Sequence, residues 1–298
     1  MKNFSLVMFV LLGFSGFLLG QEKPAWDGVR FSTVSIRQSW NQEPGGYDRR
    51  ALVSQPQRQK NKLPVIICFH GAGGRAGGMM RQYRPFKDSH LIVAAEGYRK
   101  TWNVHGEPSQ APDVKFFREL CRRLEKDYPA DMEQVTLIGS SNGAGFIHRL
   151  LIEIDEPFSK RNILLAASMI QLQYHDQGFW KPSRSTREYD RRARPKSGRE
   201  IHYFHGTRDN VVPYSGGLRF RRFEHLSAVD TAFAWARANG YRGPRLTEQK
   251  GNKRSAGVTE IRYPGTDVHF YSVKDGNHGF DPHRGEVNQI VQALIRKK

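Results

Sequence analysis

The feature that most constrains this chain is the string Gly139-Ser140-Ser141-Asn142-Gly143, which closes the apolar run Val135-Thr136-Leu137-Ile138. It has the form G-x-S-x-G. A strand ending in such a string turns sharply into a helix, and the serine at the apex takes a strained backbone that exposes its hydroxyl as a nucleophile. The glycines are needed because so tight a turn leaves no room for side chains beside it. The residues that follow, Ala144 to Ile152, carry apolar side chains at helical spacing. Strand, turn and helix in that order place the chain in the α/β class.

The rest of the chain is organised to match. Gly28 to Ile36 alternates as a half-exposed strand, and Arg49 to Ser54 reads as its antiparallel neighbour at the edge of a mixed sheet. Leu63 to Phe69 is apolar on both faces, hence a central strand, and it runs into His70-Gly71-Ala72-Gly73-Gly74. A glycine-rich loop there lets backbone N–H groups approach a ligand closely. It lacks the G-K-[ST] of a phosphate loop, so it is read as the second donor of an oxyanion site, with His70 structural. His90 to Ala95 is a further buried strand, followed by a loop from Glu96 to Ala111 that carries Trp102 and Asn103. Helices are expected over Pro112–Leu124, Thr231–Asn239 and Val287–Ile295, and late strands over Ile163–Ala167, Ile201–Phe204 and His269–Val273. Residues Gln171 to Glu200 lose periodicity and end in a basic, turn-rich stretch, read either as a solvated excursion or as a flap beside the substrate.

The chain has 298 residues, long enough for a sizeable core, and shows no internal repeat or linker. Residues 1–20 combine an early Lys2 with the apolar run Leu6 to Leu12 and small residues before Gln21, the pattern of a secretory signal. One catalytic domain is expected over residues 21–298, in a secreted or periplasmic protein. An uncleaved membrane anchor is the rival, weakened by Gly13 and Gly16. Of the two cysteines, Cys68 falls on a buried strand and Cys121 on a helix; export permits a disulfide without requiring one. No metal-binding spacing is present, and no cofactor is expected. Lys and Arg outnumber Asp and Glu 47 to 29, a net charge of +18. Such a field favours an acidic polymer or an anionic envelope surface, or is simply a solvated basic surface; export argues against nucleic acid.

Two further residues complete a chemistry around Ser141. Asp209 lies on the turn His205-Gly206-Thr207-Arg208-Asp209 after a late strand, and His278 lies on the last loop between Gly276 and Gly279. Serine is a poor nucleophile at its own pKa. A histidine must take its proton, and a carboxylate must hold the imidazole tautomer. The order serine, aspartate, histidine is that of the α/β-hydrolases. The oxyanion would be met by the N–H of Asn142 and one from Gly71 or Ala72. His205, His225, His283, Asp113 and Asp275 fit the expected loops less well.

The strings His70–Gly74, Thr101-Trp102-Asn103, Gly139–Gly143, His205–Tyr214 and Trp235–Gly240 resemble the secreted polyhydroxybutyrate depolymerase and feruloyl esterase group, related to carbohydrate esterase family one. The resemblance covers most of Gly46 to Ile295. It implies an α/β-hydrolase fold without a large cap, a triad of Ser141, Asp209 and His278, and Trp102 near the site. Tyr241 stands where members often carry a cysteine, and the loop Gln171–Glu200 has no counterpart in the group. The expected substrate is a carboxylic ester on a polysaccharide or polyester, with Trp102, Asn103, Tyr214 and Phe280 touching it. A peptidase on the same fold and a non-catalytic carbohydrate-binding protein are the alternative readings.

Overall fold

The computed structural model describes residues 26–59, 61–156, 158–183, 189–219 and 223–297; the expected signal at residues 1–20 lies outside them. In chain order the strands are β1 Val29–Trp40, β2 Glu43–Pro56, β3 Leu63–Phe69, β4 Leu91–Ala95, β5 Ala130–Ser140, β6 Arg161–Leu165, β7 Tyr174–His175, β8 Gly178–Lys181, β9 Arg191–Ala193, β10 Glu200–Gly206, β11 Gly217–Arg219, β12 Phe223–His225, β13 Asn252–Lys253, β14 Val258–Arg262 and β15 Val268–Val273. The helices are α1 Ala76–Gln82, α2 Asp113–Asp127, α3 Asn142–Glu153, α4 Ala228–Ala238 and α5 Arg284–Arg296.

Ten strands form one sheet in the order β1-β2-β4-β3-β5-β6-β10-β15-β14-β13. The stretch from β4 to β15 is parallel throughout, and antiparallel pairs close both edges. Central strands are buried on both sides, which is why Leu63–Phe69 and Leu91–Ala95 read as unbroken apolar runs. Alternate residues of β3 feed opposite cores. Val65, Ile67 and Phe69 pack with Phe117 of α2, Phe146 of α3 and Trp235 of α4, while Ile66 and Cys68 pack with Met80 of α1 and Val291 of α5.

From β3 the chain crosses to β4 on one side and then to β5 on the other. Such a reversal leaves a crevice beyond the carboxyl ends of the two diverging strands. Gly71 follows β3 and Ser141 follows β5, so both stand at that crevice. A buried ion pair secures the loop between them: the Arg49 guanidinium on β2 donates to Asp113 at the start of α2, both side chains fully enclosed.

Residues Gln171–Glu200 are not a plain solvated excursion. They hold the antiparallel strands β7, β8 and β9, and Phe179 packs its ring 4.8 Å from that of Trp235. Cys68 and Cys121 are both free thiols.

Candidate active site

Ser141 sits between β5 and α3 with φ 51° and ψ −120°, a left-handed backbone that a side chain rarely adopts. Its carbonyl accepts the Gly145 N–H at 2.9 Å, so the helix begins at once. Close approach explains both motif glycines. A methyl on Gly143 would stand 2.2 Å from the Phe69 carbonyl oxygen, and one on Gly139 would stand 2.5 Å from that of Gly143. Helix α3 is thereby seated directly on the end of β3.

His278 and Asp209 meet because β10 and β15 are parallel neighbours, with Gly206 in register with Val273. The turns that follow them interlock: Arg208 N–H donates to Gly276 O at 2.9 Å, and a methyl on Gly206 would stand 2.3 Å from that same oxygen. Across this contact Asp209 Oδ2 lies 2.8 Å from His278 Nδ1, and His278 Nε2 lies 2.9 Å from Ser141 Oγ. Asp209 Oδ1 accepts the N–H groups of Val211 and Val212 at 2.8 and 2.9 Å. Burial alone would raise this carboxyl, but hydrogen bonds from His205 and His278 outweigh it and hold Asp209 well below the usual carboxylate range. An ionised Asp209 requires the proton on Nδ1 of His278, leaving Nε2 to accept from the serine hydroxyl.

The Gly71–Ala72 turn is braced from three sides. His70 Nε2 accepts the Gly97 N–H at 3.0 Å, which leaves Nδ1–H to donate to Gly71 O at 2.8 Å. Trp102 Nε1–H donates to His70 O at 3.0 Å. The Asn142 side chain completes the frame: its Oδ1 accepts the Trp102 N–H at 2.7 Å, and its Nδ2 donates to Trp102 O at 3.0 Å. A methyl on Gly71 would lie 3.3 Å from Ser141 Cβ, so this turn passes directly beside the serine. The Asn142 N–H opens the first turn of α3, where N–H groups have no intrahelical acceptor.

The expected substrate contacts are placed differently. The Trp102 ring is fully buried, stacked on Phe146 at 5.0 Å, and presents no face to a substrate. The Asn103 side chain is buried as well, accepting the Gly106 and Glu107 N–H groups and donating to Ala111 O. Phe280 packs in the core with Val273 and Val287. Tyr214 is half-buried, with its hydroxyl donating to Glu248. Trp102, expected to touch the substrate, instead supports the turn through its buried ring. Conversely, His205, set aside in the sequence, faces Asp209, and the side chain of Asn142 was not anticipated. The i, i+4 spacing of His205 and Asp209 across a glycine was the available signal for the first.

This sheet order, with a serine on the turn after β5 and an acid and a histidine after later strands, is the fold of the α/β-hydrolases. No family model matches the chain. Its sequence is 24% identical over 246 residues to feruloyl esterase B of Piromyces equi, covering 77% of this chain and 42% of that protein. The chain thus spans less than half the length of that curated relative. Among solved structures it is similar to the acetyl xylan esterase from Aspergillus awamori, with TM-score 0.58, 13% identity, and coverage of 87% of this chain and 98% of that one. The S-formylglutathione hydrolase from Agrobacterium tumefaciens superposes with TM-score 0.54 at 13% identity, covering 91% and 96%.

Proposed function

We propose that this chain is a secreted serine esterase, with residues 21–298 as one catalytic domain after a signal at residues 1–20, acting on acetyl or feruloyl esters of a polysaccharide or on a short hydroxyalkanoate polyester. The observation that carries this reading is the unbroken chain Ser141 Oγ, His278 Nε2, His278 Nδ1 and Asp209 Oδ2, with steps of 2.9 and 2.8 Å. The similarity to feruloyl esterase B supports the choice of ester.

In this mechanism His278 takes the proton of Ser141 as Oγ attacks the ester carbonyl, and Asp209 stabilises the imidazolium. The oxyanion forms between the N–H of Asn142 and that of the Gly71–Ala72 turn, each donor contributing roughly 3–4 kcal/mol. The imidazolium then protonates the leaving alkoxide, which departs as the alcohol and leaves an acyl-serine. Water attacks that ester with His278 again as base, releasing the acid and restoring Ser141.

The test is a panel of nitrophenyl acetate and butyrate, methyl ferulate, polyhydroxybutyrate film and a peptide anilide. Ser141→Ala is expected to lose on the order of a millionfold in kcat on the preferred ester, while Ser140→Ala retains turnover. Near wild-type turnover by Ser141→Ala would remove the esterase reading. A preference for the anilide would replace it with a peptidase.

A further inference from the structure

A cavity lies outside the crevice that holds Ser141. It encloses about 640 Å³ between the outer face of the β1–β2 hairpin, the start of α1 at residues 75–77, and residues 96–97 after β4. That volume falls in the range of small-molecule sites, roughly 300–1,000 Å³. Its sheet wall follows from register. Thr33 faces Leu52 and Arg37 faces Asp48, with the Ser35–Arg50 pair between them, so Thr33, Arg37, Asp48, Arg50 and Leu52 share one side.

The charges lining it do not cancel. Arg37 is engaged, lying 3.3 Å from Asp48 and donating to Gly45 O. Glu96 is also engaged, accepting the Ala76 N–H at 2.7 Å. Arg50 and Arg75 line the same cavity, and among the described residues their side chains have no hydrogen-bonding or ion-pair partner. Three arginines against Asp48 and Glu96 leave the lining with one positive charge in excess, and the unengaged forks of Arg50 and Arg75 each match a carboxylate. At the lip stands the ring of Tyr47, 37% exposed and held edge-on against Tyr98 at 5.0 Å. An exposed, immobilised aromatic beside a hydroxyl and charged groups suits the apolar face of a sugar ring.

Position ties this cavity to the serine. The segment Gly71 to Arg75 passes Ser141 at one end and lines the cavity at the other. Four residues span at most about 15 Å between Cα atoms. We propose that the cavity is a subsite for a carboxylate-bearing saccharide, such as a uronic-acid residue of an acidic polysaccharide, gripped by Arg50 and Arg75 with Tyr47 against its ring. A polymer held there lies within a few sugar lengths of Ser141, and the net charge of +18 draws such a polymer to the surface. Only the statement that this polymer carries the scissile ester rests on the esterase reading.

The experiment is calorimetric titration of the whole protein with a uronic-acid trisaccharide free of esters, with neutral xylotriose and with inorganic phosphate. The acidic trisaccharide is expected to bind, and Arg50→Gln combined with Arg75→Gln to weaken it at least about tenfold, the loss of charge-assisted hydrogen bonds. Each single substitution is expected to weaken it by a smaller factor, which keeps the test decisive if the double variant does not fold. Circular dichroism and the melting temperature establish that the variants are folded. Unchanged affinity in folded variants, or equal binding of xylotriose, overturns the subsite. Phosphate binding as tightly as the trisaccharide makes it an inorganic-anion site and overturns the saccharide assignment. Because the probe has no ester, an inactive Ser141 would leave the binding result untouched.

Discussion

His205 stands behind Asp209, its Nε2 3.3 Å from Asp209 Oδ2, the same oxygen that faces His278. The imidazole is fully buried, and its Nε2 also lies 2.9 Å from Val212 O, an acceptor that requires the proton on that nitrogen. Nδ1 is met by the Tyr203 hydroxyl, which lies 3.0 Å from Ser168 Oγ. A buried carboxylate with this donor behind it cannot turn away from His278. His205→Phe should therefore lower kcat by about ten- to hundredfold, the worth of one hydrogen bond to a charged group. KM should move little, because His205 touches no substrate. Steady-state kinetics on a short ester, with circular dichroism to establish folding, checks this; a loss confined to KM would contradict it.

Trp102→Ala distinguishes a support from a substrate contact. The ring is buried among Phe69 and Phe146 and holds His70 O. Removing it should cost roughly 3–5 kcal/mol of stability. It should depress turnover of acetate and ferulate esters by the same factor, since the oxyanion turn serves both. A selective loss on the ferulate ester would make the ring a substrate contact instead.

The glycines divide sharply. Gly143→Ala would drive a methyl to 2.2 Å from Phe69 O, where only backbone stands, and should yield little folded protein. Gly78→Ala lies inside α1 with nothing within 4 Å of the new methyl. It should raise stability by about 0.5–1 kcal/mol, read from urea midpoints. Equal effects from the two would deny the close packing of α3 on β3.

Stability should fall with pH in two windows. Burial lowers His202 below its ordinary 6.5, so beneath that pH the unfolded chain binds a proton that the folded chain resists. Burial would raise Glu200 and Glu260, but hydrogen bonds from His202 and Arg161 to the first, and from His269, Arg262 and Tyr271 to the second, hold each at about 2 instead of 4.5. Their contribution is present above pH 4.5 and is lost as pH falls toward 2, on the order of 2 kcal/mol each. Urea midpoints at pH 7, 5.5, 4 and 3 should decline, and Glu260→Gln should flatten the lower window. A wild-type midpoint unchanged between pH 5.5 and 3 would refute it.

What the sequence determined by itself was whatever depends on short-range sterics and period. Gly139–Gly143 could be placed because its demand arises within one turn, and Leu63–Phe69 because a strand buried on both faces has no polar side. The turns bearing Asp209 and His278 were legible by their glycines and their place after late strands, whereas α1, with Gly77 and Gly78 inside it, was not. Tertiary structure decided what lies opposite each side chain. An aromatic on a loop has the same local sequence whether its ring turns inward or outward, so the sequence of Trp102 and Phe280 suits a substrate contact, whereas in the fold Trp102 stacks on Phe146 and Phe280 lies in the core cluster that holds Val287. Gln171–Glu200 looks aperiodic because the strands β7, β8 and β9 are short and, among the described residues, pair with one another, with Phe179 resting on the distant Trp235. The reach from His205 to Asp209, and from the Asn142 side chain to Trp102, exists only once β5, β10 and the loop after β4 share one edge, a juxtaposition no local pattern encodes.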